Sequence, residues 1–341
     1  VFGKASGFAS SIKLSSLDGT TGFKLADVAA SADSSYSVAS AGDLNGDGYA
    51  DLIIGASGAD PNDRSNSGSS YVVFGKSSGW GSGAVNLSDL DGIAGFRLDG
   101  VAANDVSGCS VASAGDVNGD GYADIIVGAP YANRYGGYSY VVFGQASGFA
   151  SSINLSSLNG ITGFRLDGVQ MLGGFTSGDV SGYSAASAGD VNGDGFSDLI
   201  VGAPGATPPS SSFGINYNSG TSYVFFGKAT GFASSTELST LDGTTGFRID
   251  GLSTYCGCGD SVASAGDVDG DGFADLLIGV AQADATYAGA CYVVFGRASG
   301  FTASLNLSTL NGTNGFKLAG VAAGDRSGES VASAGDVNGD G

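Results

Sequence analysis

Four kinds of short segment recur along the chain, and each has the side-chain pattern of a β-strand. In chain order they are small and alternating (SVASAG at Ser110), continuously apolar (DIIVGA at Asp124), β-branched and aromatic (YVVFG at Tyr140), and alternating again (GFRLDG at Gly163). A continuous apolar run is typical of a strand buried on both faces, and β-branched and aromatic residues favour strands. A helical apolar period with caps is missing, apart from one turn at LSSLDG. We name the four predicted strands A, B, C and D.

The four strands return in the same order along the whole chain. The aspartate that follows strand A stands at positions 43, 116, 190, 267 and 336. Repetition of this kind predicts an array of identical supersecondary units rather than several unlike domains. Four antiparallel strands repeated around an axis predict an all-β fold, a β-propeller built of four-stranded antiparallel blades.

We expect a single propeller region across residues 1–341. The complete blades are predicted at about 36–99, 109–167, 183–250 and 260–319, with partial blades at 1–26 and 329–341. The first residues read as the end of a strand C, and the last as part of an acidic loop. This favours a fragment of a longer array, and circular closure through one shared, incomplete blade is the alternative.

Strand D is predicted to be the outermost strand of each blade, an exposed edge on which another molecule could pair. A basic residue occupies one equivalent position of every copy: Lys24, Arg97, Arg165, Arg248 and Lys317. Cationic side chains on an edge oppose unwanted strand addition, and a merely solvated strand face predicts the same pattern. Both interpretations place strand D on the outside.

The connection between strands A and B carries the pattern D-x-N-x-D-G-x-x-D. Side-chain oxygens at positions 1, 3, 5 and 9, together with a backbone carbonyl at position 7, make an oxygen-only cage that suits Ca²⁺ better than Mg²⁺. The predicted ligands are Asp43, Asn45, Asp47, Tyr49 and Asp51; Asp116, Asn118, Asp120, Tyr122 and Asp124; Asp190, Asn192, Asp194, Phe196 and Asp198; Asp267, Asp269, Asp271, Phe273 and Asp275; and, in a truncated fifth loop, Asp336, Asn338 and Asp340. We therefore expect about four complete calcium sites.

The acidic loop pattern has two alternative interpretations, an EF-hand and a metal-free turn. An EF-hand needs a bidentate Glu at position 12. In the four complete copies that position holds an aliphatic residue inside strand B, namely Ile54, Val127, Val201 and Ile278. An EF-hand is therefore excluded. A metal-free turn rich in Asp and Asn is the second. It would crowd three or four carboxylates into nine residues without a counter-charge, so the metal site is favoured. Four Ca²⁺ would change the net charge from −20 to −12.

Composition excludes several classes of function. The net charge of −20 repels nucleic acid and anionic lipid, and no apolar run is long enough to insert into a membrane. The chain has no histidine, which removes the usual general base and the Ser–His–Asp and Cys–His arrangements. We therefore expect no catalytic activity. The four cysteines leave free thiols and disulfides equally open.

The phrases VVFG, SVASAGDVNGDGYADIIVGAP and the acidic loop together resemble the FG-GAP repeats of integrin α-subunit propellers, related to repeats of bacterial surface and secreted proteins. The resemblance covers nearly the whole chain. It implies a propeller that seven repeats usually close, Ca²⁺ in the hairpin loops, and an extracellular or cell-surface setting. The expected function is a non-catalytic, calcium-stabilised module for cell adhesion or for binding a protein or glycan. The alternative is an accessory or purely architectural repeat domain, attached to an enzyme or to a long surface protein.

Loop lengths indicate which face of the propeller meets a partner. Up-and-down connectivity puts the A–B and C–D connections on one face and the B–C and D–A connections on the other. The C–D linkers are uniform at 18 or 19 residues, whereas the B–C connections vary and carry tyrosines. Variable loops on a rigid scaffold favour recognition, so we expect a protein or glycan to bind near Tyr131, Tyr135 and Tyr217. Neutral drift in solvent loops is the alternative.

Overall fold

A computed structural model describes residues 1–5, 7–26, 34–81, 83–170, 178–208, 218–337 and 339. Short β-strands dominate these residues. In chain order the strands are β1 (Lys24–Ala26), β2 (Ser34–Gly42), β3 (Asp51–Ala56), β4 (Ser69–Val73), β5 (Ala84–Asn86), β6 (Gly95–Asp99), β7 (Ser110–Gly115), β8 (Asp124–Ala129), β9 (Tyr138–Val142), β10 (Ser152–Asn154), β11 (Gly163–Asp167), β12 (Ser184–Gly189), β13 (Asp198–Ala203), β14 (Thr221–Phe225), β15 (Ser235–Glu237), β16 (Gly246–Asp250), β17 (Ser261–Gly266), β18 (Asp275–Val280), β19 (Ala290–Val294), β20 (Ser304–Asn306) and β21 (Gly315–Ala319).

Within the described residues, helical structure is limited to single turns. They are Leu14–Ser16, Pro61–Asp63, Leu87–Asp89, Ala132–Tyr135, Leu155–Ser157, Leu238–Thr240 and Leu307–Thr309. Five of these seven turns lie at the LSSL-like sequence of the C–D linker, where the sequence predicted one turn.

Within the described residues the strands form five sheets: β1 and β5 make a parallel pair, and in each of the other four sheets strands A, B, C and D lie side by side and antiparallel. These four sheets are β2-β3-β4-β6, β7-β8-β9-β11, β12-β13-β14-β16 and β17-β18-β19-β21. The small strands A of successive sheets lie next to one another. A serine hydroxyl of one strand A accepts a hydrogen bond from a backbone N–H of the next strand A. Ala185 N–H, for example, donates to Ser110 Oγ at 3.0 Å. The all-β class and the antiparallel propeller blades predicted from the sequence are confirmed.

The prediction that strand D is a free edge is wrong for three of the four blades. A three-residue strand from the C–D linker of the following blade pairs in parallel with it: β10 on β6, β15 on β11 and β20 on β16. The arginine of strand D in these three blades therefore does not lie on a free edge. Arg97 makes a bidentate ion pair with Asp99 two residues along the same strand. Arg165 repeats it with Asp167, and Arg248 pairs with Asp250 through Nε alone.

The same linkers join the blades through aromatic stacks. Phe149 of the second blade's linker stacks on Phe96 of the first blade, with ring centroids 4.4 Å apart. Phe164–Phe232 and Phe247–Phe301 repeat the contact. Trp80 takes the place of the linker phenylalanine in the first blade and stacks on Phe23 at 4.0 Å, so it is a packing residue. Each linker therefore ties its own blade to the preceding one.

Hydrogen bonds between connections establish which loops share a face. In the second, third and fourth blades, the backbone N–H that opens the C–D linker donates to the A–B loop of the preceding blade; Lys228 N, for example, donates to Val117 O at 3.0 Å. On the opposite face, B–C and D–A connections bond to each other, as Val106 N does to Asn66 O at 3.1 Å. The predicted division of the connections between two faces is correct.

A buried carboxylate joins the D–A connection of the second blade to the third. Asp179, which is 4% exposed, accepts a hydrogen bond of 2.8 Å from the phenol of Tyr223 and one of 3.2 Å from Val169 N. Burial raises the pKa of Asp179 to about 6.

Cys256 lies close to the equivalent tyrosine, Tyr292, in the next blade, and all four cysteines of the chain are free thiols.

We expect Asp179→Asn to flatten the pH dependence of stability between about pH 4 and 6. The folded-state pKa of Asp179 lies above the unfolded value, so the folded protein binds more protons in this range and loses stability as pH rises. The neutral amide keeps an acceptor for Tyr223 but does not titrate. Urea unfolding at several pH values checks this. An unchanged slope in the variant would contradict the assignment.

Candidate metal centres

Each acidic loop begins directly after a β-bulge at the end of strand A. The pairing of strands A and B shifts register between Ser113 and Gly115, and the same shift occurs in the other three blades. Bulges often redirect the chain beside functional loops. The nine loop positions, counted from the first aspartate, then fold into a compact turn held by their own side chains.

The first aspartate gathers the backbone of the loop around its carboxylate. In the second loop, Asp116 Oδ1 accepts hydrogen bonds from Gly119 N at 2.7 Å and Asp120 N at 3.1 Å, and its Oδ2 accepts one from Gly121 N at 2.9 Å. These bonds wrap the chain around position 1. They therefore bring positions 3 and 5 to the same side as position 1.

Positions 3 and 5 are tied to each other. Asn118 Oδ1 accepts from Asp120 N at 3.0 Å, and Asn118 Nδ2 donates to Asp120 Oδ2 at 2.9 Å. Asp120 Oδ1 accepts from the backbone N–H of Tyr122, at position 7, at 3.0 Å. The first and third loops repeat all three bonds.

The aspartate at position 9 is fully buried beneath the loop. Asp124 has no exposed surface; its Oδ2 accepts from Val117 N at 2.8 Å, and its Oδ1 accepts from Gly144 N, at the end of strand C, at 2.9 Å. The equivalents Asp51, Asp198 and Asp275 make the same two bonds. This residue therefore fastens the loop to strands B and C at once.

The electrostatics of position 9 is unfavourable for a bare carboxylate. Burial first, and then the nearby charges of Asp120 and Asp116, raise the pKa of Asp124 to about 7 against the lowering effect of its two backbone hydrogen bonds. The pKa values of Asp198 and Asp51 are raised to about 7 and about 6 by the same causes. The loops thus concentrate negative charge around position 9, and no Lys or Arg contributes to these pKa shifts.

The fourth loop brings three carboxylates together. It has Asp269 where the other complete loops have asparagine, and carboxylate oxygens of Asp267, Asp269 and Asp275 lie within 4.8 Å of one another. In the fifth loop Asp336 Oδ1 accepts from Gly339 N at 2.6 Å. Two predicted ligands of that loop, Asn338 and Asp340, lie outside the described residues. All donors in the four complete loops are hard oxygens, which fits Ca²⁺ or a similar hard cation.

The loops also contact one another, which the sequence analysis missed. The ring of Tyr122 lies over Gly46, at position 4 of the preceding loop, where an added Cβ would be 2.4 Å from the Tyr122 Cε1 atom. The backbone carbonyl of Asp43 accepts from Ala123 N at 3.1 Å. Phe196 over Gly119 and Phe273 over Gly193 repeat the packing. Position 7 is aromatic in all four complete loops, and that was the available signal.

This packing predicts different effects for the same substitution in two loops. Gly193 and Gly270 both occupy position 4 with similar backbone angles, φ +73° and +75°, but a Cβ at Gly193 would be 2.3 Å from the Phe273 ring while Gly270 has no neighbour within 4 Å. We expect Gly193→Ala to destabilise the protein by about 1–3 kcal/mol more than Gly270→Ala. Urea unfolding of both variants measures the difference. Equal losses would contradict the contact.

The opposite face holds the predicted recognition residues only in part. Tyr131 and Tyr135 are 42% and 49% exposed, and their rings meet edge to face with centroids 5.4 Å apart. Tyr217 lies outside the described residues.

No helix within the described residues has the length and apolar character that crossing a membrane requires.

Comparison with known proteins finds one matching family model, the FG-GAP repeat, at residues 34–73, 110–142, 181–225 and 259–294. Each match contains strands A, B and C and the acidic loop between A and B. Among curated proteins, phosphatidylinositol-glycan-specific phospholipase D of Bos taurus is 35% identical over 187 residues, 53% of this chain and 20% of that protein. Integrin alpha-V of Gallus gallus is 31% identical over 199 residues (58% and 16%), and integrin alpha-IIb of Mus musculus 30% over 236 residues (68% and 20%). The chain spans a fifth or less of the length of these relatives.

Proposed function

Because this chain belongs to the FG-GAP repeat family, we propose that it is a calcium-stabilised β-propeller module that acts outside the cell or at the cell surface. Its role is cell adhesion or the binding of a protein or glycan ligand, and it performs no catalysis itself. The A–B loops hold the ions. The face with the B–C and D–A connections meets the ligand.

One observation carries the calcium assignment. Asp124 is fully buried beside Asp120 and Asp116, and its pKa is raised first by this burial and then by the two like charges. Two further loops repeat the arrangement. A bound Ca²⁺ would supply the positive charge that lets these carboxylates remain ionised together. The residues at positions 1, 3, 5 and 9, with the carbonyl at position 7, would hold it.

The ions would act on stability. Extracellular calcium modules have dissociation constants of about 10⁻⁴–10⁻³ M. With free Ca²⁺ about tenfold above that constant, each site adds about 1.4 kcal/mol by mass action, so four sites would add on the order of 5 kcal/mol. The named integrin relatives support adhesion or ligand binding.

Calorimetric titration of chelator-treated protein with CaCl₂ tests the calcium assignment. The four complete loops predict four ions per chain with dissociation constants of about 10⁻⁴–10⁻³ M. Retention on immobilised extracellular matrix proteins or on a glycan array tests the ligand role. A protein that takes up no calcium at about ten times these concentrations would contradict the proposal.

An accessory module beside an enzyme is the second candidate. The identity of 35% with a phosphatidylinositol-glycan-specific phospholipase D favours it over a purely architectural repeat. It predicts that the native polypeptide has a hydrolase activity that requires these repeats for stability or targeting, while the 341-residue chain alone has none. Assay of the native polypeptide with and without the repeats distinguishes the two candidates.

A further inference from the structure

A cleft opens between the first and second blades on the face opposite the acidic loops. Its volume is about 630 Å³, within the usual range for small-ligand sites. The first blade contributes the D–A connection and the end of the B–C connection, and the second blade contributes its B–C turn. The side chains relevant to recognition are Asn66, Asn104, Asp105, Tyr131, Arg134 and Tyr135.

The tyrosines of this cleft differ from those in strand C. Tyr71, Tyr140 and Tyr292 are buried, with 3% exposure or less, whereas Tyr131 and Tyr135 present about half of their surface to solvent. The two rings brace each other edge to face. They therefore form an apolar wall beside polar groups, an arrangement typical of a ligand site.

The turn that carries this wall is held in an unusual backbone conformation. Asn133, Arg134 and Tyr135 are three consecutive non-glycine residues with left-handed φ angles of 54°, 55° and 66°. The turn is fixed from behind, where Gln170 Nε2 donates to Asn133 O at 3.0 Å and Tyr135 O accepts from Val180 N at 2.8 Å. Residues in rare backbone conformations cluster at ligand-binding sites. A rigid turn keeps Arg134 and Tyr135 at the cleft without ordering them on binding.

Three polar side chains of the cleft are available to a ligand. Within the described residues, the side chains of Asn66, Asn104 and Arg134 make no hydrogen bond or ion pair. Asp105 is largely buried, and its Oδ2 accepts from Ala102 N at 2.9 Å. Asn66, Asn104 and Arg134 together offer amide and guanidinium donors and amide acceptors.

We propose that this cleft binds a neutral saccharide. The paired donors and acceptors of the Asn66 and Asn104 amides, with the N–H donors of Arg134, match the vicinal hydroxyls of a sugar, and the Tyr131–Tyr135 wall matches the apolar C–H face of a pyranose ring. The cleft holds one basic and one acidic side chain, so it has no excess charge to attract an ion. The net charge of −20 disfavours acidic glycans and acidic peptides. This proposal rests on the ligand-binding role given above and names its ligand class.

The test uses the calcium-loaded chain and the methyl glycosides of glucose, galactose, mannose and N-acetylglucosamine, each at up to about 10 mM, a range that detects millimolar binding by saturation-transfer NMR. At least one glycoside is expected to bind. Tyr131→Ala and Arg134→Ala should each weaken it at least about tenfold.

Tyr287→Ala is the matched control. Tyr287 occupies the same repeat position as Tyr135, with φ 57° and a carbonyl that accepts from Arg326 N, and it is 53% exposed, but it lies in the fourth blade, away from the cleft. Its substitution should leave glycoside binding unchanged.

Three results would overturn the saccharide assignment: no glycoside binding, equal loss in Tyr287→Ala, or a peptide ligand that requires Tyr131 while no glycoside binds. The third would leave the ligand-binding module intact. Calcium titration of the same samples shows separately whether the calcium-stabilised module fails.

Discussion

Removal of calcium is expected to lower the midpoint of thermal unfolding by about 5–10 °C. Four sites that each add about 1.4 kcal/mol together shift a chain of 341 residues by this amount if it unfolds in one step. The physical reason is repulsion. Without a cation, the buried Asp124 faces Asp116 and Asp120, and folding must either protonate it or keep the like charges together.

Scanning calorimetry in millimolar CaCl₂ and in excess chelator measures this shift. Magnesium is the matched control, because it requires octahedral geometry and retains water, so it should restore the midpoint much less than calcium. The shift should saturate with calcium concentration. Equal midpoints in calcium and chelator would show that the loops are stable turns without an ion.

Loss of the buried aspartate is expected to be the most damaging single substitution in a loop. Asp124→Ala removes the acceptor for Val117 N and Gly144 N, which leaves two buried N–H groups unpaired. Each unpaired group costs about 1–3 kcal/mol, so we expect a loss of about 3–5 kcal/mol even in chelator. The calcium stoichiometry should also fall by one.

Asp120→Ala separates the two roles of these aspartates. Asp120 lies at position 5 of the same loop and is exposed, so its loss should remove the ion but leave stability in chelator almost unchanged. Urea unfolding of both variants with and without calcium measures the difference. If Asp120→Ala destabilised the chelated protein as much as Asp124→Ala, position 9 would not have the anchoring role that its hydrogen bonds indicate.

The sequence was sufficient for the blade because its signals are local and repeated. The apolar run at Asp124, the aromatic strand at Tyr140 and the acidic loop between strands A and B recur with the same order and nearly the same spacing. One repeat therefore predicts the next. The division of the connections between two faces followed from strand order alone.

The contacts between blades were not predictable in the same way. Residues 152–154 form a strand only because the preceding blade offers a free edge, and their sequence, Ser-Ile-Asn, has no strand pattern of its own. Asp99 pairs with Arg97 because residues two apart share a face of a strand. The GFRLD pattern contained that information, but the arginine was interpreted alone. The state of the cysteines depends on distances in space, and the repeat provides no framework for it.

The most direct test of the central claim is a crystal structure grown in millimolar calcium, with anomalous diffraction data to locate the ions. One anomalous peak is expected in each complete loop, about 2.3–2.6 Å from the oxygens at positions 1, 3, 5, 7 and 9. Ordered loops with no peak, their carboxylates bonded only to the backbone N–H groups described above, would contradict it.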